Sequence, residues 1–390
     1  MHGCRCVDES CCVRFFGSGI VRITAHRGPR TLVELNSFQT SGISPGGCHV
    51  GILGFGTVAA AVARRLTGPD HIPNLHLTHI CDRRAREKRA RQPEPLALCS
   101  WTDRFDDLLA SDVDVIIEAV SGAEPALDYV RAALLAGKSV VSANKQLIAH
   151  HAAPLQTLAE RQGRQLRFEA AVGGAMPIVR MLADGLAGDR VLGVRAILNG
   201  TTNAVLSRMD AVGCAIDEAI AEACANGYAE EDPSIDLDGA DAAAKLAIVC
   251  ALAFGARVNP AAIETRTTSR ITAGDLTDAR QRGFTIRQIA HANYDRASRR
   301  LTAWVAPTRV VASSAFGRAE GPENVALVRC TYAGDITIGG AGAGGDALAA
   351  AIISDLVTIA RDRAAIVPAP VLVEPNEING YPDQKLAEAV

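Results

Sequence analysis

Residues 227–245 read GYAEEDPSIDLDGADAAAK, which sets six carboxylates ahead of one lysine. The acids are Glu230, Glu231, Asp232, Asp236, Asp238 and Asp241, and the cation is Lys245. The whole chain has a net charge of only −3, so the crowding is a property of this stretch. Asp238–Gly239 reads as a helix start, with Asp238 as N-cap and Asp241 in the first turn, where negative charge is favoured. Asp241 and Lys245 then stand four apart on one helix face. On an exposed helix such a pair is worth roughly a few tenths of a kcal/mol and carries no function. The helix beyond, LAIVCALAF, is apolar almost all round, however, so it is expected to be buried and Lys245 with it. A buried lysine needs a partner or a task. The carboxylates would also repel one another unless a cation lay among them. Glu230 and Asp241 could receive the ammonium group of a substrate, while Glu231, Asp232, Asp236 and Asp238 have milder uses as caps, turn formers and loop surface. A second lysine, Lys145, closes the run SVVSANK. A lysine at the carboxyl end of a parallel strand can face a bound cofactor, although most strand-end lysines simply lie at the surface.

The elements that must position these residues are legible upstream. VGILGFGTVAAAVARRL contains Gly54-x-Gly56-x-x-Ala59 between an apolar strand and a helix. The first glycine permits a tight turn, the second lets backbone N–H groups approach a pyrophosphate, and the alanine permits close helix–strand packing. The helix N-terminus adds partial positive charge. Strands are expected at 49–54, 75–80, 114–120 and 139–144, with an edge strand at 165–170, and helices at 57–66, 105–109 and 125–135 between them. This alternation predicts an α/β fold, a Rossmann-like doubly wound parallel sheet, with an α+β domain after it. After the second strand comes CDRRAREKRA. Asp82 is placed to accept the adenosine ribose hydroxyls of NAD, and Arg83 and Arg84 to meet the 2′-phosphate of NADP. Charge alone leaves the choice between NADP and NAD open, with the two arginines tilting it to NADP.

The expected division is an N-terminal extension at 1–47, poor in order; a dinucleotide-binding domain at 48–172, to which a C-terminal helix at 345–362 returns; a substrate-binding domain at 173–344; and a tail at 363–390. In the second domain, helices are expected at about 177–186, 203–211 and 217–226. A long helix should end near Phe254, followed by strands in FTIRQIAHA, LTAWVAP, VALVRCTY and DITIGG.

The balance of 40 basic and 43 acidic residues speaks against a nucleic-acid binder. No apolar run reaches the roughly 18 residues of a membrane span, and the N-terminus lacks the pattern of a secretory signal. A cytoplasmic location and unpaired cysteines follow as expectations. Cys4, Cys6, Cys11 and Cys12 cluster near His2, but the C-x-C and C-C spacings fit structural zinc poorly.

GYAEEDPSIDLDGADAAAKLAI resembles the signature of the homoserine dehydrogenase family. ILGFGTV, EAVSGAEPA, SANKQLIA, FEAAVGGAMPIV, ILNGTTNAVLSRM and GGAGAGGDALAAAIISDL resemble further family blocks in the right order, from about residue 49 to 362. The resemblance implies NAD(P)-dependent interconversion of L-homoserine and L-aspartate 4-semialdehyde, a step toward threonine, methionine and isoleucine. It implies that Lys245 is the proton donor or acceptor, that Asp241 bonds the substrate, that Glu230 holds its amino group and that Lys145 bridges cofactor and substrate. Gly54, Gly56, Thr57, Val58, Ser121, Lys145, Gly227 and Gly342 are the implied cofactor contacts. Glu169, Val172, Gly174 and Met176 resemble a loop that binds Na+ or another monovalent cation through its backbone. A homodimer is implied as well. Ser121 and Ala175 replace common family glycines, Ala341 stands where proline is frequent, and Asp346–Ala347–Leu348 and ETRTTSRIT depart from the usual pattern; these bear on loop shape rather than chemistry. No regulatory ACT domain is expected after residue 362. Two rival readings are another two-domain NAD(P) oxidoreductase and a non-catalytic NAD(P)-binding sensor; the acidic signature and the retained lysines speak against them.

Overall fold

The structure, a computed structural model, describes residues 11–16, 20–25, 47–69, 71–229, 232–365, 367–382 and 388–389. The chain forms two units, 1–41 and 42–390. In the first, β1 (Cys11–Phe16) and β2 (Ile20–Ala25) pair as an antiparallel ribbon. The remainder of the expected extension before residue 47, including His2, Cys4 and Cys6, lies outside the described residues.

The second unit begins with short strands, of which the central ones, at 48–53, 115–118 and 139–142, are apolar and buried on both faces, as parallel strands under helices must be. The strands are β3 (Cys48–Leu53), β4 (Leu75–Cys81), β5 (Ser100–Thr102), β6 (Val115–Glu118), β7 (Ser139–Ser142) and β8 (Leu166–Arg167). All pairings are parallel, in the order β5-β4-β3-β6-β7-β8. The sheet is therefore doubly wound, and its strand order reverses between β3 and β6. A ligand crevice is expected at that switch, outside the carboxyl ends of the strands. Helices α1 (Thr57–Thr67), α2 (Ala126–Leu135) and α3 (Lys145–Arg161) provide crossovers.

The chain then runs through α4 (Gly200–Val212), α5 (Ile216–Ala225) and α6 (Ala240–Phe254). α7 (Ala273–Gln281) follows, opened by a capping box in which Thr272 and Asp275 bond each other's backbone. The second sheet runs β10-β12-β11-β9-β13-β14. Its strands are β9 (Val191–Ile197), β10 (Glu264–Thr265), β11 (Phe284–Asp295), β12 (Arg300–Val311), β13 (Glu323–Cys330) and β14 (Asp335–Ala341). The final helix, α8 (Gly345–Arg361), packs on α1 and buries Ala349, Ile352 and Leu356 among Val50, Ala59 and Val62. The alanines of α1 permit that approach. Each fully buried Ile or Leu adds about 1.5–3 kcal/mol relative to exposure, which holds α8 on the first sheet.

The all-round apolar character of α6 has a direct cause. One side packs on β9 and β11 of the second sheet and the other on α3 of the first module. Leu246, Val249 and Cys250 share one core with Leu147, Ile148 and Leu155 of α3 and with Val194, Ala292 and Leu301 of the second sheet.

Some expectations are corrected. The N-cap of α6 is Gly239, not Asp238: a short helix, Ser234–Leu237, runs into Asp238, and the chain must pass through a left-handed residue (φ +85°) to start again. The helix expected at 177–186 is a short α-turn at Ile178–Arg180 continued by a π-helical turn at Met181–Gly185. The segment expected as a tail contributes β15 (Glu377–Asn379) and β16 (Glu388–Ala389), both parallel to β12. β5, α3 and α7 have no counterpart among the expected elements.

Candidate functional site

The carboxyl end of β3 turns through Gly54 (φ +85°), where a Cβ would lie 2.8 Å from the carbonyl oxygen of Ala119 at the end of β6. Only glycine tolerates both the conformation and that contact. Gly56 caps α1 without a side-chain hydrogen bond, and no atom lies within 4 Å of where its Cβ would be. The first N–H groups of α1, at Thr57 and Val58, thus border open space, as a pyrophosphate requires. The residues present fit a dinucleotide.

At the end of β4, Asp82 binds this turn. Its Oδ2 accepts from Phe55 N–H (2.8 Å) and from Lys88 Nζ (2.6 Å), and its Oδ1 accepts from Arg84 N–H (2.8 Å). Arg83 and Arg84 are exposed.

The two lysines meet through Asp241. Lys145 opens α3 at the end of β7, and Asp241 lies in the first turn of α6. Lys245 Nζ is 2.7 Å from Asp241 Oδ2, and Lys145 Nζ is ion-paired with Oδ1 of the same carboxylate. The Asp241 side chain is 2% exposed, Lys245 14% and Lys145 39%. Burial pushes the Asp241 carboxyl up, but the ammonium groups of Lys245 and Lys145 and their hydrogen bonds outweigh it and hold it well below the usual carboxylate range. Lys245 also donates to the Leu198 carbonyl at 2.8 Å. Among the described residues these acceptors engage two of its three N–H donors, which leaves one for a substrate oxygen.

A set of polar residues that sequence reasoning missed holds this cluster. Asn199, the N-cap of α4, donates from Nδ2 to both Asp236 (2.7 Å) and Asp241 (2.9 Å). Burial and Asp241 raise the Asp236 carboxyl above its ordinary value, against the bond from Asn199 and the two lysines. Asp236, expected among the acids that serve as caps, turn formers or loop surface, is thus part of the cluster. Asn144 caps α3 by accepting from Leu147 N–H, and it donates to the carbonyls of Val120 (3.2 Å) and Gly122 (2.6 Å). Buried Glu118 accepts from Ser142 Oγ (2.6 Å) and Val120 N–H (2.8 Å), and Ser142 Oγ accepts from Asn144 N–H. One line of contacts therefore runs from Gly54 through Ala119 and Val120 to Asn144, Lys145, Asp241 and Lys245. The capping signal in the S-A-N-K run was available in the sequence; the pairing of Asn199 with two acids far along the chain was not.

Asn144→Ala is expected to cost about 0.5–2 kcal/mol of stability through the lost cap. By letting Lys145 drift on the order of 1 Å, it should lower kcat by about 10²-fold. Denaturant unfolding and initial rates measure the two effects separately; an unchanged kcat would remove Asn144 from the positioning of Lys145.

The other foreseen residues fall around this line. Ser121 lies exposed just past β6. Gly342 follows β14 against Asn324, and its N–H bonds Pro322. The same turn touches Gly174, bonds Ala175 through the Ala341 carbonyl, and meets Thr57 through Gly345. Gly227 (φ +73°) lies on the turn after α5, beside Tyr228, whose carbonyl accepts from Thr201. Glu230 and Glu231 lie outside the described residues. All four cation-loop residues, Glu169, Val172, Gly174 and Met176, are buried. The Glu169 carboxylate caps Val179 and Arg180 N–H (2.9 Å each), and burial next to Asp355 pushes it up to about 7. Among the described residues no group of three or more His, Cys, Asp or Glu is placed to hold a metal, and no helix is long and apolar enough to cross a membrane.

Residues 54–169 match the family model described as homoserine dehydrogenase, NAD binding domain, and residues 177–357 match that described as homoserine dehydrogenase. A homoserine dehydrogenase of Corynebacterium glutamicum is 37% identical over 349 residues, covering 84% of this chain and 76% of that protein. The crystal structure of a homoserine dehydrogenase from Thiobacillus denitrificans superposes with a TM-score of 0.77 at 30% identity, covering 85% of this chain and 80% of that one. A hyperthermophilic archaeal homoserine dehydrogenase in complex with NADPH has a TM-score of 0.68 at 25% identity, covering 83% of this chain and all of that one (100%).

Proposed function

The chain belongs to the homoserine dehydrogenase family, and from that premise we propose how its own residues carry the NAD(P)-dependent interconversion of L-homoserine and L-aspartate 4-semialdehyde. The single observation that carries the assignment of residues is the Lys145–Asp241–Lys245 cluster, which joins α3 to α6 around the buried Asp241 carboxylate and is contiguous with the glycine turn after β3.

A dinucleotide would lie with its pyrophosphate at Gly54, Gly56, Thr57 and Val58 and its nicotinamide toward Ser121, Lys145, Gly227 and Gly342. When bound, it supplies or removes hydride at the terminal carbon of the substrate. In the reductive direction charge develops on the carbonyl oxygen, and Lys245 donates its remaining N–H proton there. In the oxidative direction the neutral amine takes the hydroxyl proton. Lys145 stabilises the same oxygen, with its ammonium already fixed by Asp241, so little reorganisation is needed as charge forms. Asp241 holds both lysines in place and offers the substrate an acceptor. Glu230 receives the substrate ammonium, and Asp236 adds a second acid beside Asp241. α6, packed between the second sheet and α3, shields Lys245 from most bulk water.

The division of labour follows: residues 48–172 with 345–362 hold the dinucleotide, and 173–344 hold the substrate and the dimer contact. Exposed Arg83 and Arg84, with the Asp82 carboxylate engaged elsewhere, favour NADP over NAD. A monovalent cation at the carbonyls of the 169–176 loop, a homodimer and a cytoplasmic location complete the reading.

Initial rates of nicotinamide reduction with L-homoserine, measured side by side with NADP and NAD, test it. Turnover with the NADP rate higher is the expected result. Binding of either dinucleotide without turnover would turn the reading into that of a sensor, and turnover only with a different alcohol into that of another oxidoreductase.

A further inference from the structure

In doubly wound sheets an acidic residue at the end of the second strand takes both adenosine ribose hydroxyls of NAD. Asp82 has that position, yet its carboxylate is spoken for. A carboxylate offers about four lone-pair sites, and three are filled by Phe55 N–H, Lys88 Nζ and Arg84 N–H. A ribose diol needs two. Lys88 comes from the short helix Ala85–Arg89 and reaches back to the glycine turn, where Nζ also donates to the Phe55 carbonyl at 2.6 Å. The Asp82 side chain is 11% exposed and that of Lys88 20%, so the pair is shielded from solvent screening. Burial would raise the Asp82 carboxyl, but the bonds from Lys88, Phe55 and Arg84 outweigh it and hold it below its ordinary value. What the corner presents outward is Arg83 and Arg84, both exposed.

Building on the NADP reading above, we propose that Lys88 is a cofactor-specificity residue, which clasps Asp82 to the Phe55 turn and so withdraws the ribose-reading carboxylate from NAD. The arginines beside it are then left to meet a 2′-phosphate without an opposing free acid. Lys88 acts through Asp82, as a positioning residue.

The test is direct binding of NADH and NADPH, read by the fluorescence of the reduced nicotinamide, to the full-length protein and its variants. Lys88→Met frees Asp82 and is expected to tighten NADH by about tenfold, the value of roughly one hydrogen bond to a charged group. Lys88→Arg keeps the clasp and should retain the wild-type ratio of the two affinities. Adding Asp82→Asn to Lys88→Met should cancel the gain. Lys88→Gln, which can still bond the Phe55 carbonyl without carrying charge, has the same expectation as Lys88→Met and replaces it if that variant does not fold. NADH affinity unchanged or weaker in folded Lys88→Met or Lys88→Gln overturns the proposal, as does a gain that survives Asp82→Asn. Absence of homoserine turnover in the wild type would sink the substrate reading and leave this one standing; a wild type that binds neither dinucleotide would sink both.

Discussion

Replacing Lys245 by alanine is expected to lower kcat by about 10²–10⁴-fold, the usual contribution of a positioned acid or base, while NADPH binds as in the wild type. The reasoning is geometric. Lys245 sits on α6, on the substrate side, and its ammonium is held by Asp241 and by the Leu198 carbonyl. None of its described partners belongs to the glycine turn after β3, so its removal leaves the pyrophosphate site untouched. The alanine leaves Asp241 paired with Lys145, so no buried charge is abandoned and the fold should survive. A kcat within about threefold of wild type would transfer the acid/base role elsewhere, with Lys145 the next residue to examine; that margin is about 0.65 kcal/mol in barrier height.

Asp241→Ala should act on stability as much as on rate. It removes the one carboxylate between two ammonium groups, and breaking a buried pair from one side costs about 3–5 kcal/mol. The lower end is expected, because the Lys145 side chain is 39% exposed and recovers some hydration. Asp241→Asn, nearly isosteric, separates charge from shape. An acid held below its unfolded value stabilises the fold fully above that value, about pH 4 for aspartate. The contribution fades as pH falls below it toward the folded value. The difference in unfolding free energy between wild type and Asp241→Asn should therefore be flat from neutral pH down to about 4 and shrink in stronger acid. Urea unfolding across that range measures it. A difference that instead grows as acid is added would mean that the carboxylate is not the ionised partner of the lysines.

The sequence carried much of this arrangement because the signals were local. Short apolar runs separated by helices announced the parallel sheet, and Gly54 and Gly56 announced its nucleotide end. The apolar circumference of α6 announced that Lys245 would be inside, and the reason is visible in the fold: the helix has a sheet on one side and α3 on the other. What stayed hidden was set by contacts between distant segments. Asn199 is an ordinary helix cap until folding places Asp236 and Asp241 against its amide. Lys88 is one cation in a basic run until its helix turns it back to Phe55. β5, three residues long and partly exposed at the sheet margin, has no period to detect. Asp238 was a sound N-cap choice by residue type; the short helix in front of it decided for Gly239. The family resemblance supplied roles for individual residues that spacing alone left open.

The outer margin of β12 has a further consequence. β15 covers it at Arg300–Thr302, β10 at Trp304–Val305 and β16 at Arg309–Val310, all from the same chain. Backbone groups that would otherwise invite a foreign strand are already satisfied there. That flank therefore offers a neighbouring molecule only strands of two or three residues, whereas the opposite flank ends in the seven-residue β14, which belongs to the hairpin that delivers Gly342.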